Sequence, residues 1–405
     1  MTKPKALAPF RHRNFRLLYP ATALSNIGTW SQRIAQDWLV LELTGSATAL
    51  GIVTALQFGP TLILSTVGGI LADRFDKQKL LFISNAGSAI VALVLGLSVV
   101  TGSANIWFVY AMAFLLGCFN AIDAPIRQTF TSELVPNDDV PGAISLNSIN
   151  FNSGRLIGPG LSGLMIAAFG TGPSFLLNSL SYVVMLVALL YVRKEELNLI
   201  EKPKEKAKLK EAIHYFKDRV DLQIVLYIAF IAATFGMNHQ IFNALMTTDE
   251  FKQGPAEFGA LGTFLAFGSL AGALLTARNR RFKNPKGIAI GSVLFGLSLV
   301  IMAFSPTYLV YSLLLPFDGL IAILTLVSAN TYIQTTTDAH IRGRVIGIYM
   351  MVLMGGTPVG SPFLGWLAES FGIRTGMIVF GLITALGSAA FYLLLRTTRD
   401  VNEQD

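Results

Sequence analysis

The sequence predicts an all-α integral membrane protein with twelve transmembrane helices in two six-helix halves. Composition is the first observation behind this. Of 405 residues, 53% are hydrophobic and 14% charged, where a soluble domain carries about 25% charged residues. Mean hydropathy is +0.57. That excludes a disordered chain and argues against a soluble enzyme. The second observation is a set of twelve apolar runs, at 17–42, 47–72, 79–101, 105–132, 141–169, 173–192, 219–247, 257–277, 287–304, 307–335, 343–369 and 375–396. Each reaches the roughly 20 residues needed to cross a hydrocarbon layer. The third is the distribution of bases. With the N-terminus inside, 26 of the 31 Lys and Arg residues fall on cytoplasmic segments and only Lys252 and Arg374 on external ones. Basic residues gather on the cytoplasmic side of membrane proteins, so both termini are expected there, in the cell (inner or plasma) membrane.

Glycine and proline inside several runs are compatible with membrane helices, because small residues allow close packing and neighbours satisfy freed backbone groups. The formal charge of +7 then reads as an orientation signal, with no nucleic-acid partner implied. Cys118 is the one cysteine, so no disulfide or thiolate metal site is expected. His12, His214, His239 and His340 lie far apart, without metal-ligand spacing. No Gly-rich phosphate loop is present, and no removable signal peptide is read at the basic N-terminus. No cofactor is expected.

Residues 193–218 are the longest charged stretch and separate an N-terminal half, 1–192, from a C-terminal half, 219–405. Leu209, Ala212, Ile213 and Phe216 share one helical face there, which suits a segment on the membrane surface as well as a solvated linker. The halves echo one another. A short polar turn, a helix start and a Gly/Pro cluster follow the fourth run (Gly158, Pro159, Gly163) and again the tenth (Gly356, Pro358, Gly360). Parallel repeats of this kind mark transporters with a site between two halves.

Six charged residues lie inside the runs: Arg33, Asp37, Asp123, Arg127, Arg155 and Asp318. His239 is a seventh ionisable group. An intramembrane charge costs at least ~2.5–3.5 kcal/mol on insertion scales, so each needs a partner or a wet cavity. Asn26, Trp30, Arg33 and Asp37 share one face of the first run, with Trp30 suited to an aromatic or apolar substrate. Arg33 and Asp37 are spaced to neutralise each other. Asp37 or Asp123 is the expected partner of Arg155. Asp318 has no charged neighbour on its own helix. Desolvation favours the protonated form of such an acid, which makes it a candidate proton carrier. His239, with Asn238 and Asn243 nearby in the sequence, is a weaker candidate.

The loop after the second run reads Gly69, Leu71, Ala72, Asp73 and Arg74 in the pattern G-x-L-A-D-R, with Asp76 where glycine is usual. The fifth run carries Gly154, Gly158, Pro159 and Gly163, with Ser162 in place of a glycine. Together with WLVLELTGS, DAPIRQ and RGRVIGIYM, these residues resemble the major facilitator superfamily. The branch they look like contains the enterobactin exporter and several drug-efflux proteins. The resemblance implies that the first, fourth, seventh and tenth spans line a cavity. The third, sixth, ninth and twelfth would face lipid. It also implies gating roles for Gly69, Asp73, Arg74, Arg127, Gly154, Gly158, Pro159, Gly163 and Arg342. Asp73 would cap the eleventh span, and Arg127 at the same depth could pair with it. The function expected is proton-driven export of an amphipathic drug or siderophore by alternating access, with an external proton loading Asp318 or Asp37. A monomer is expected, with lipid, protons and the small molecule as partners. Uptake or facilitated diffusion is the alternative within transport, and a transport-dead receptor the alternative outside it. No nucleophile–base or metal cluster points to a membrane enzyme.

Overall fold

The computed structural model describes residues 7–198, 211, 214–216, 219–278, 283–338 and 340–402. These fold into helices with no strand among the described residues. In order they are α1 (Arg13–Thr44), α2 (Ala47–Arg74), α3 (Lys77–Val100), α4 (Ile106–Glu133), α5 (Val140–Phe169) and α6 (Gly172–Leu190). Then follow α7 (Val220–Glu250), α8 (Pro255–Arg278), α9 (Pro285–Ala303), α10 (Tyr308–Thr336), α11 (Arg342–Phe371) and α12 (Ile373–Asn402). Ten of them are long and apolar enough to cross a membrane. The other two, α1 and α5, have 32 and 30 residues. At 1.5 Å per residue they exceed the ~30 Å hydrocarbon thickness, but they carry more polar side chains. Of the expected surface segment, Leu209, Ala212 and Ile213 lie outside the described residues, as does 279–282 of the loop before α9.

Helix ends follow from local chemistry. Gly45 closes α1 in the left-handed region (φ 59°), donating its amide to Leu41 O, as a glycine can without Cβ strain. Asp76 accepts from the Lys79 amide at the start of α3, and Asn105 from the Phe108 amide at the start of α4. Asn284 and Thr307 do the same for α9 and α10.

The chain forms two compact units. The first comprises Met1–Gly45, Leu56–Pro203 and Gly254–Thr263; the second comprises Ser46–Ala55, Lys204–Gln253 and Phe264–Asp405. One packing scheme serves both. In the first unit α1 lies against α5 and α6, and α3 against α4 and α6. In the second α7 lies against α11 and α12, and α9 against α10 and α12. Each unit has its own apolar core. Phe15, Leu81, Ile126, Phe130 and Leu189 are buried together in the first, and Val225, Ile228, Ile288, Val345 and Tyr349 in the second.

Small residues set the closest approaches. A Cβ on Gly154 would stand 2.8 Å from Asn26 Cβ, and one on Gly158 2.6 Å from Trp30 Cβ. In the same seam Ser162 Oγ donates to Ser31 O at 2.8 Å. In the second unit a Cβ on Gly356 would stand 2.6 Å from Ala233 C, and Gly360 abuts Thr234. The fifth helix of each half is thus seated on the first by glycines, which is the physical content of the repeated Gly/Pro clusters. Gly163 meets Pro255 and Gly259 of α8 in the same manner.

The helix under Gly356 and Gly360 is not regular. In α7 a wide turn over Ala232–Gly236 interrupts the ladder, and helix resumes at His239. Asn238 Nδ2 donates to Thr234 O at 2.7 Å across the break. No proline lies between Val220 and Glu250 to announce it.

The expected lipid-facing helices have two characters. Ile83, Ile90 and Leu97 on α3 and Ile290, Leu294, Leu297 and Ile301 on α9 form exposed apolar stripes at helical spacing. Their opposite faces bury polar groups, including Ser84, Asn85 and Ser88 on α3 and Ser292 on α9. Facing lipid therefore describes one side of these helices.

Adding a methyl group where glycine is in contact overpacks the seam. Gly158→Ala and Gly356→Ala are each expected to cost about 1–3 kcal/mol and lower the thermal midpoint of the purified protein. Gly69→Ala, whose Cβ would meet nothing within 4 Å, leaves it unchanged. Scanning fluorimetry of the three variants in detergent checks this.

Candidate functional site

The intramembrane charges sort into three groups. The first centres on Asp123 of α4. Arg127, one turn on, donates Nε to Asp123 Oδ2 at 2.6 Å, while Ser84 Oγ and Asn85 Nδ2 from α3 each donate to Oδ1 at 2.8 Å. Arg127 also donates to Asn85 Oδ1 at 3.2 Å. Asp123 is therefore neutralised and saturated by its own helix and α3. It is not the partner of Arg155, and Arg127 is engaged here instead of with Asp73. Ser84 and Asn85 escaped the sequence reading. Their signal was two adjacent polar residues in a mostly apolar third run.

The second group lies in the second unit. Asp318 of α10 is fully buried, and His239 Nε2 stands 2.5 Å from its Oδ2. Ser298 Oγ of α9 donates to Oδ1 at 2.6 Å. The His239 ring stacks on Phe295 with centroids 5.8 Å apart. One turn along α7, Asn243 accepts from the Tyr311 hydroxyl at 2.9 Å. The break in α7 positions this group, because His239 opens the segment that resumes after it. Thr325, two turns on along α10, donates to Ile321 O. A carboxylate at this depth is costly alone, and a protonated histidine beside it makes the pair neutral. An imidazole exists in charged and neutral forms, whereas the guanidinium of Arg127 stays charged.

Asp123 and Asp318 occupy corresponding helices, the fourth of each half, and each takes hydroxyl donation from the third helix of its half. They differ in cation. One has a permanently charged arginine and the other a titratable imidazole.

The third group lies on α1 and α5. The Arg33 guanidinium carbon is 4.8 Å from the Trp30 ring centroid and 4.6 Å from that of Phe58, and Arg155 is 5.9 Å from Trp30. Phe151 meets Trp30 edge-on at 5.9 Å. Neither Arg33 nor Arg155 has a hydrogen bond or ion pair among the described residues. Asp37 is buried one turn past Arg33 and exerts an attraction on it, while its Oδ1 lies 3.5 Å from Gln57 Nε2. Asn26 Nδ2 donates to Asn150 Oδ1 at 3.2 Å, tying α1 to α5 just above Gly154.

The expected gating residues are scattered. Asp73 and Arg74 are exposed, and Asp73 forms no hydrogen bond or ion pair among the described residues. Gly68, not Gly69, makes the close approach, with a Cβ there 2.8 Å from Ile122 O. Asp76, the departure from the motif, caps α3 and receives Lys194 Nζ at 2.6 Å. Partial burial pushes its carboxyl up, but Lys194 and the α3 amides more than offset this and hold it below the usual carboxylate range. Arg342 is exposed and donates to Thr337 O at the start of α11. A carboxylate that sequence reasoning missed sits at the other end of that helix. Glu369 accepts from Ser46 Oγ at 2.7 Å and from the Thr48 amide at 2.8 Å, capping α2. It lay at the last position of a run and looked like an ordinary loop charge.

A family model described as transmembrane secretion effector matches residues 4–405. The chain belongs to that family of major facilitator transporters. Among curated proteins, a staphyloferrin A transporter of Staphylococcus aureus is 25% identical, with 94% of this chain and 96% of that one covered. The Tap multidrug efflux pump of Mycolicibacterium fortuitum is 25% identical, covering 93% and 95%. An enterobactin exporter of Shigella boydii is 22% identical, covering 93% and 92%. Among solved structures, a bacterial homologue of the human lysosomal transporter Spinster superposes with a TM-score of 0.75 at 16% identity, over 96% of this chain and 98% of that one. This likeness extends the fold assignment along the whole chain. The protein is a multi-pass membrane transporter and not an enzyme.

Breaking the Asp123–Arg127 pair from one side strands a charge. Arg127→Met is expected to destabilise this transporter by about 3 kcal/mol. Adding Asp123→Asn in the same chain recovers most of that loss. Thermal midpoints of the two single variants and the double variant measure the coupling.

Proposed function

We propose that this transporter exports a small amphipathic molecule by alternating access, driven by inward return of protons through the His239–Asp318 pair. The observation that carries the reading is the buried pair itself. It is the one intramembrane carboxylate–cation pair among the described residues whose cation can give up its proton. An external proton loads the pair, giving imidazolium and carboxylate with no net charge. Substrate leaves outward, and after reorientation the proton departs to the cytoplasm. Asp37, the other acid named for this step, accepts from Gln57 Nε2 at 3.5 Å, and this reading does not route the proton through it.

Export is favoured over uptake because the relatives include an enterobactin exporter and a multidrug efflux pump. Their names also supply the substrate range, siderophores and drugs. The reading places both termini in the cytoplasm and the protein in the plasma membrane as a monomer. It counts α1 and α5 with the ten apolar helices as twelve spans, and it needs no cofactor. Gly154, Gly158, Pro159 and Gly163 let α5 shift on its neighbours during the cycle. Asp73, Arg74 and Arg342 act at cytoplasmic helix ends.

A strain lacking the gene and one with it restored, compared across a panel of drugs and siderophores, identifies a transported compound. In proteoliposomes, pH-gradient-driven movement of that compound is expected to fall at least tenfold in Asp318→Asn and His239→Gln. Full transport by Asp318→Asn, or transport indifferent to collapse of the gradient, rejects the proton role. Inverted vesicles that fail to accumulate the compound reject export in favour of uptake.

A further inference from the structure

The two arginines on α1 and α5 stand apart from the other intramembrane charges. Asp123 has Arg127, and Asp318 has His239. Arg33 and Arg155 lie over aromatic faces, and Arg33 also feels the attraction of Tyr182 and, less strongly, of Asp37. Arg155 forms no ion pair among the described residues. Both guanidiniums lie over the same indole, 4.8 and 5.9 Å from its centroid, so they are no more than about 11 Å apart. Two like charges at that separation in a low-dielectric region repel, and an anion between them relieves the repulsion.

Close packing sets their placement in this structure. Gly154 and Gly158 bracket Arg155 and press α5 onto Asn26 and Trp30 of α1, so backbone contact sets the spacing of the two groups. Both arginines and Trp30 are partly exposed, which leaves donor positions open to a ligand. A guanidinium presents a planar fork that matches a carboxylate, and Trp30, Phe58 and Phe151 offer flat apolar surface beside it.

We infer that Arg33, Arg155 and Trp30 form a receiving site for an organic anion carrying carboxylate groups on a planar apolar body. The assignment rests on the export reading for its place in a transport cycle, but binding is measured without transport. Each guanidinium takes one carboxylate, and the indole packs against the body of the anion. The site favours acidic amphiphiles and disfavours cationic ones.

The test is calorimetric titration of the full chain in lipid nanodiscs. The probe is naphthalene-2,6-dicarboxylate, and the uncharged naphthalene-2,6-dicarboxamide is the control. The dicarboxylate is expected to bind saturably at one site, with the diamide at least tenfold weaker. Arg33→Gln and Arg155→Gln each weaken the dicarboxylate at least tenfold, and Arg155→Lys weakens it less. The inference is overturned by absence of saturable dicarboxylate binding, by equal binding of the diamide, or by unchanged binding in glutamine variants that remain monodisperse. Comparing dicarboxylate with diamide on the unaltered protein decides the matter even where a variant fails to fold. No dicarboxylate binding by the unaltered protein, with intact pH-driven efflux of another compound, sinks this inference alone. Anion binding by a protein that exports nothing upholds it and sinks the export reading.

Discussion

An ionised group inside an apolar helix bundle must be neutralised, and the central part of this protein is organised around that constraint. Asp123 and Asp318 stand on the fourth helix of their halves, and each draws a serine from the third helix to one carboxylate oxygen. In the first half an arginine one turn away completes the neutralisation with a charge that never leaves. In the second the counterpart comes from another helix and is an imidazole. The same architectural position thus carries a guanidinium partner in one half and an imidazole partner in the other. What distinguishes them is the chemistry of the cation, not its distance from the acid.

That imidazole is delivered by an irregularity. His239 follows a wide turn in α7, and the turn is covered by Gly356 and Gly360 of α11. A larger side chain on α11 would push it away and expose the loosened backbone. Interrupted helices at the centre of a membrane protein are tolerated where neighbouring protein satisfies them, and Asn238 contributes by bonding back to Thr234 O. The glycines of α5 press in the same way on an unbroken α1, where they position Arg155 beside Trp30. One packing rule, the fifth helix of each half seated on the first, therefore supports both polar groups.

Most of the architecture was readable from residue order. Twelve apolar runs became twelve helical stretches whose ends mostly moved by a few residues, because the length demanded by a hydrocarbon layer is a strong one-dimensional signal. The repeated Gly/Pro clusters foretold the shared packing scheme. The polar sites were readable only as membership. Every Asp, Arg and His of the groups on α1, α4, α5, α7 and α10 was singled out, but not the hydroxyl and amide partners Ser84, Asn85, Ser298 and Tyr311, nor Phe58. These sit on helices whose overall composition is apolar, and composition averages over the buried and exposed faces.

The sequence by itself determined that this chain spans a membrane many times, in two related halves, with a small set of charges inside. Apolar length and glycine spacing are local properties that survive without coordinates. Only the tertiary structure decided which charge answers which. Arg127 turned to Asp123, His239 to Asp318, and Arg33 and Arg155 to the faces of aromatic rings. Pairing depends on distances of a few ångströms between helices far apart in the chain, and helical periodicity gives the face of a residue without naming the neighbour that face will meet.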